Sequence, residues 1–393
     1  LDDHLGPDTG NYTEHTLNFL LKFLTEKKYP ELTTLLENTK NLLVEVVREV
    51  NKLKNPETKE RIHQDTKINC ESNEPVFAAD NDFTKIALEN FFSGSFNIFD
   101  YFIKVNNGEY LKIFSAGEPF DPARLMKFKK QYTFEYLFFK TANRRTYINF
   151  VNEVLNKVSK SKHRMAERKL FITDNLVEKY IEEIHTVGLA PDLVIQGKEI
   201  CTSINKLIAS DIDLVTSLVE LKSHDLKSFG HSFLVTFLSV ILATKLGWKS
   251  KTTIESLALG AMLHDLGKLK LSRSILKQEL GSLTKDEIIQ YEKHPQYGLD
   301  LLNNIPKISE PVRQIVYQHH ELANGKGFPN KLNGFRIYPM AKIVSLANYF
   351  ANLIVEYNIL PLEGLKLFIT NKTETDKFDA KIIKALVQCF VNK

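Results

Sequence analysis

The sequence predicts an α+β N-terminal region with helical segments, followed by an all-α C-terminal half. Three observations carry this. From about Asn205 to the end, apolar residues recur at helical spacing almost throughout, and Gly and Pro cluster in one long loop, Ala323 to Gly334. Between Phe96 and Phe114, two runs rich in β-formers flank Asn107-Gly108. That dipeptide is a hairpin signal because a type I′ turn needs positive φ. The histidines with distinctive surroundings, His231, His264, His294, His319 and His320, all fall in the all-α half.

Taken in order, residues 1–55 read as a helical N-terminal segment, with apolar residues at helical spacing through Leu42 to Val47. A polar stretch to Asn73 reads as a linker. Residues 74–150 read as a small α+β regulatory domain. Its strands are expected over Phe96–Val105, Tyr110–Phe114 and Phe134–Lys140. Asp121-Pro122 opens a helix to about Tyr132, with Asp as the cap and Pro at the first helical position. Phe96, Phe99, Tyr101 and Phe102 are expected in the sheet core rather than around a ligand. Residues 151–204 read as a helical connector, with helices over Asp174–Ile184 and from Asp192. The basic run from Lys157 to Lys169 reads as a solvated helix face, against contact with a phosphate backbone or a membrane.

Composition narrows the function classes. The chain has 393 residues, enough for two or three domains. With 52 basic and 48 acidic residues the net charge is +4, too balanced to indicate a nucleic-acid polymer as partner. Cys70, Cys201 and Cys389 are far apart and form no Cys-x-x-Cys pair, which argues against a disulfide framework and fits a reducing cytoplasm. The longest apolar run, Phe233 to Thr244, is broken by Thr236 and Ser239 and reads as a buried helix rather than a membrane span. The chain opens on Leu1 rather than Met, which reads as a fragment; its first residues, Leu1 to Asp8, carry too thin a pattern to use.

The chemistry centres on His264-Asp265-Leu266-Gly267-Lys268, at the end of an apolar helix from about Thr253. Imidazole and carboxylate are suitable ligands for iron, manganese or zinc. A carboxylate has two oxygens, so Asp265 can bridge two ions, and such a pair can bind a phosphodiester and activate water. Lys268 could reach a phosphate oxygen. A helix-terminal cation is the plainer reading of that lysine. Around this centre stand His231-Ser232 at the head of a long apolar helix, His294-Pro295-Gln296-Tyr297-Gly298, His319-His320-Glu321, and the loop Asn324-Gly325-Lys326-Gly327-Phe328-Pro329. Thr284 to Glu287 spells a capping box just before His294. Gly325 and Gly327 permit a tight loop beneath the site.

This set, in this order, resembles the HD-GYP family of cyclic di-GMP phosphodiesterases. The resemblance covers about Asn205 to Val355 and implies an HD-superfamily helical bundle over residues 205–393. It implies two divalent metal ions, Fe or Mn. His231, His264 and Asp265 would hold one, and Asp265, His294 and His319 the other. His320 would be a further ligand or a substrate contact, and Lys268 would bind the scissile phosphate. The implied reaction is hydrolysis of a cyclic dinucleotide in bacterial signalling, with Asp265 and Lys268 as catalytic residues. A protein partner would be engaged through the N-terminal region or the loop at Phe328, and a homodimer is left open.

The departures are specific. Lys227 stands where many members carry a Glu that supports a third metal, which argues for two ions. Asn348 stands where the last metal ligand is normally an Asp, and Ala351 replaces a second Asp. An amide oxygen can ligate, without charge. The phosphate-binding Arg segment is missing, with Glu356-Tyr357-Asn358-Ile359 standing nearby, and Phe328 replaces the signature Tyr. The rival readings are a metal-bound sensor or interaction module without turnover, an HD phosphohydrolase of another nucleotide, and a scaffold with an empty site. Residue by residue, His264-Asp265 could be a buried pair without metal, His294 a helix cap, and Asn348 an ordinary helix residue. His163, His185 and His224 read as structural or exposed, and His4, His15 and His63 as uninformative.

Overall fold

The computed structural model describes residues 75–88, 91, 96–159, 166–210, 218 and 230–391. The expected helical segment 1–55, the linker after it, Cys70, His163, His224, and Asp225 to Ser228 with Lys227 lie outside the described residues. The chain divides into two compact units, residues 1–146 and 147–393.

The first unit is built on an antiparallel sheet. Its strands are β1 (Val76–Phe77), β2 (Phe83–Ala87), β3 (Tyr101–Asn106), β4 (Glu109–Phe114) and β5 (Tyr136–Lys140), in the order β1-β4-β3-β5-β2. Asn107-Gly108 makes the β3–β4 turn, with Gly108 at φ +72°. β2 and β5 pair in unbroken register from Phe83 opposite Lys140 to Ala87 opposite Tyr136. Phe83, Phe102 and Tyr110 form the core on one face, with the Phe83 and Tyr110 rings stacked at 4.0 Å. α1 (Pro122–Gln131) starts as expected: the Asp121 carboxylate accepts from the Ala123 N–H at 2.9 Å.

The expected strand over residues 96–105 is shorter than its composition suggests. Asp100 accepts from the Ala116 N–H at 2.8 Å, which ties the chain to the following turn before β3 begins. Phe96 makes only an isolated bridge to Pro119 and is 43% exposed, so it is not a core residue. Phe99, Tyr101 and Phe102 are buried.

The second unit is helical. It contains α2 (Arg144–Val158) from Tyr147 onwards, α3 (Ala166–Val187), α4 (Pro191–Ser210), α5 (His231–Lys245), α6 (Lys251–Met262), α7 (Arg273–Leu276) and α8 (Lys285–Tyr291). α9 (His294–Asn303), α10 (Glu310–Gln318), α11 (Pro339–Glu356), α12 (Pro361–Thr370), α13 (Lys372–Thr375) and α14 (Ala380–Val391) follow. α5 is the central element: every residue from Phe233 to Ala243 is buried, because α3, α4, α6, α11 and α14 pack around it. A helix apolar on all sides is stable in water only when so enclosed. Among the described residues no single helix is long and apolar enough to cross a membrane.

Helix starts follow local chemistry. Thr284 and Glu287 form the reciprocal capping box of α8, with the Thr284 N–H donating to Glu287 at 2.9 Å. Proline occupies the first turn of α9, α10, α11 and α12. His185 is exposed near the end of α3, and Cys201 and Cys389 are free thiols.

Asp174 on α3 accepts from the N–H of Gly230, the N-cap of α5, at 2.7 Å. Burial pushes its carboxyl up to about 7, against the Gly230 hydrogen bond. The folded state therefore holds a proton that the unfolded chain loses at a lower pH. The associated stability is full below about pH 4 and is lost as pH rises toward 7. Asp174→Asn keeps an oxygen for the Gly230 N–H and removes the titration. Its melting temperature should match the parent at pH 4 and exceed it by several degrees at pH 8.

Candidate metal centre

Three of the motif histidines sit just past the C-terminal ends of helices. His264 follows α6, His294 follows α8 and His319 follows α10. Carbonyls in a helix's last turn lack intrahelical partners. Each of these imidazoles uses one. The Nδ1–H of His264 donates to the Ala261 carbonyl at 2.6 Å, that of His294 to Tyr291 at 2.7 Å, and that of His319 to Val316 at 2.8 Å. With Nδ1 carrying the proton, each Nε2 is left as a lone pair directed at the site.

These lone pairs face other nitrogens. His294 Nε2 and His319 Nε2 are 3.2 Å apart, and His231 Nε2 lies 3.2 Å from His264 Nε2. Between the two pairs stands Asp265. Its Oδ2 is 3.3 Å from His264 Nε2 and 3.8 Å from His231 Nε2, and its Oδ1 is 3.5 Å from His294 Nε2 and 3.8 Å from His319 Nε2. The side chains form two ligand groups that share Asp265. One holds His231 and His264, the other His294, His319 and His320.

Protonation does not relieve the opposed nitrogens. Burial, with His264 close by, pushes His231 down to about 4. Burial pushes His294 down to about 4, despite Asp265, and holds His319 and His320 well below the usual imidazole range. Burial alone would raise the Asp265 carboxyl, but His264 and Lys268 beside it hold it well below the usual carboxylate range. Asp265 Oδ1 and His320 Nε2 are buried without a hydrogen-bond partner. Orphaned acceptors of this kind, converging with nitrogens spaced about 3 Å apart, fit donors to cations with metal–nitrogen bonds of about 2 Å.

Lys268 Nζ donates to Asp265 Oδ2 at 2.7 Å. Burial opposes its charge, yet Asp265 raises the ammonium to about 12, so it stays charged. Its Nζ also lies 5.5 Å from the Tyr291 ring centre. Asn348 is buried on α11 close to His231, and its Oδ1 accepts from Asn352 Nδ2 at 3.2 Å. Every residue expected at the site, His231, His264, Asp265, Lys268, His294, His319, His320 and Asn348, is therefore brought to one place.

Two contributors were not singled out by the sequence reading. Tyr291 accepts from His294 and flanks Lys268, and its signal is only its position three residues before His294. Glu321 is buried and accepts from the N–H groups of Asn330 and Leu332 at 2.6 and 2.7 Å. It therefore anchors the loop that carries Phe328, whose ring stacks on His320 at 4.4 Å. Gly327 lies against the main chain of residues 320–322, as a tight loop requires.

A family model described as an HD domain matches residues 205–376. A solved HDG"Y"P protein from Bdellovibrio bacteriovorus has the same fold, with a TM-score of 0.59 at 23% identity, covering 78% of this chain and 99% of that one. Residues 205–376 of the chain thus form a helical HD domain. A curated cyclic di-GMP phosphodiesterase of Pseudomonas aeruginosa is 31% identical to it over 134 residues, 34% of this chain and 32% of the relative. A cyclic di-GMP phosphodiesterase response regulator of Xanthomonas campestris is 33% identical over 115 residues, 29% of this chain and 30% of the relative. A cyclic di-GMP phosphodiesterase of Thermotoga maritima is 24% identical over 207 residues, 52% of this chain and 49% of the relative. The matched parts thus span about a third to a half of these relatives' length.

Two outcomes test the HD-GYP centre. A Cβ on Gly267 would overlap the His294 carbonyl oxygen, where the turn after α6 presses on the start of α9. Gly267→Ala should cost about 1–3 kcal/mol in denaturant unfolding and lower the metal content of the purified protein. Anaerobic addition of Fe(II) or Mn(II) should raise the parent's melting temperature by several degrees, and a chelator should reverse it. Asp265→Ala, lacking the shared ligand, should show no such rise.

Proposed function

We propose that the HD-GYP domain is a metal-dependent phosphodiesterase that hydrolyses a cyclic dinucleotide, cyclic di-GMP or a related molecule. The observation that carries this is the pair of facing imidazole nitrogens on either side of Asp265. The names of the curated relatives supply the substrate class.

His231, His264 and Asp265 would hold one divalent ion, and Asp265, His294, His319 and His320 the second. Fe or Mn suits this mixed imidazole and carboxylate donor set. When bound, such a pair polarises the phosphodiester and lowers the pKa of an attacking water. Asp265 stays ionised, so both of its oxygens are unprotonated and able to donate to a cation. Lys268, charged and adjacent, binds a phosphate oxygen and offsets charge gathering on the phosphorus centre. The backbone carbonyls behind His264, His294 and His319 hold each ring in one tautomer, so no reorganisation is needed when substrate arrives. Asn348, close to His231, offers a neutral oxygen where the family has a carboxylate.

That neutral oxygen favours one alternative. A site with Asn348 and Ala351 in place of two acidic residues has less charge to hold its cations, which suits a sensor that binds the dinucleotide without cleaving it. An anaerobic turnover assay of the iron- or manganese-loaded protein with cyclic di-GMP separates the two. The phosphodiesterase reading expects the cyclic substrate to disappear, and Asp265→Ala to be slower by more than about 100-fold. Intact substrate in the presence of metal-loaded parent, with binding retained, would leave the sensor.

A further inference from the structure

A cleft of about 370 Å³ opens on the Lys268 side of the metal centre. That is within the range of sites that hold a nucleotide-sized ligand. Lys268 and Tyr291 form the wall nearest the metal ligands. Leu276 and Leu280 form an apolar wall although they are 47% and 57% exposed. Folding leaves these two leucines uncovered, and a flat heterocycle lying in the cleft would cover them. Asn352 and Glu356, four residues apart on one face of α11, also line the cleft.

The cleft lining carries both signs of charge, Lys268 and Glu356, so a bound ligand is oriented. Its phosphate belongs at Lys268, and the group that meets Glu356 must satisfy a carboxylate. Gln278, also in the lining, already donates to the Ser274 carbonyl and to Glu287. Asn352 donates to Asn348. Among the described residues no hydrogen bond or ion pair engages Glu356. An ionised Glu only accepts hydrogen bonds. Guanine presents two adjacent donors, N1–H and the N2 amino group, which match its two oxygens. Adenine presents one amino donor beside the unprotonated N1, whose lone pair would face the carboxylate.

We propose that this cleft is a guanine subsite and that Glu356 selects guanine over adenine in the dinucleotide. The proposal rests on the phosphodiesterase reading for the placement of the phosphate at Lys268. Glu356 is exposed at the end of α11, so its replacement should leave the fold intact.

The test measures calorimetric binding of guanosine 5′-monophosphate and adenosine 5′-monophosphate to the metal-loaded full chain. Turnover of cyclic di-GMP and cyclic di-AMP is measured separately. The parent is expected to bind the guanine nucleotide at least about tenfold more tightly than the adenine one. Glu356→Gln should lose that preference by weakening guanine binding about tenfold while leaving adenine binding unchanged. Leu280→Asp should weaken both nucleotides. Equal affinity of the parent for both bases, no binding of either, or a preference that survives in Glu356→Gln overturns the proposal. A Glu356-dependent guanine preference without turnover of either cyclic dinucleotide upholds the subsite and removes the phosphodiesterase reading instead.

Discussion

The second unit is organised around an electrostatic conflict among its own side chains. Four imidazole nitrogens converge in two pairs on one carboxylate, and in the His294–His319 pair both Nδ1 protons are already committed to backbone carbonyls. No proton is left for the nitrogens to share, and burial suppresses the gain of one. Lone pairs at this distance are tolerated only where positive charge comes between them. The geometry of α6, α8 and α10 is thus a frame suited to a cation, and the apolar packing around α5 holds that frame still.

Much of this was legible in the sequence because it depends on local chemistry. The Thr284–Glu287 capping box, the Asp121 cap and the Asn107-Gly108 turn each use neighbouring residues only, so their spacing encodes the geometry. The clustered histidines and Asp265 were legible for a different reason. Each lies in a short motif at a helix end, where chain direction changes and distant elements can meet, whereas Asn348 lies inside α11. Asp265 could be assigned as the shared group because a carboxylate alone among the candidates offers two oxygens.

What escaped the sequence depends on contacts between distant segments. Phe96 has the composition of a strand residue, yet Asp100 diverts the chain before the sheet starts, and its ring is left at the surface. Tyr291 carries no motif, and its position beside Lys268 appears only when the turn after α6 meets the end of α8. Glu321 was visible as the last letter of a motif, but its task, gathering amides from residues nine and eleven positions onward, is a property of the folded loop.

Glu321 also bears on how chains with this loop architecture are recognised. The loop after His320 is fastened through main-chain amides of Asn330 and Leu332, and any residue type at those positions supplies an amide unless it is proline. The aromatic ring at position 328 contributes its face to His320, and a phenol hydroxyl is not part of that contact. Substitution of the signature tyrosine by phenylalanine therefore need not disturb the loop's course. Criteria built on that single letter would discard chains whose loop architecture is unchanged, whereas the buried acid that follows the paired histidines marks the architecture itself.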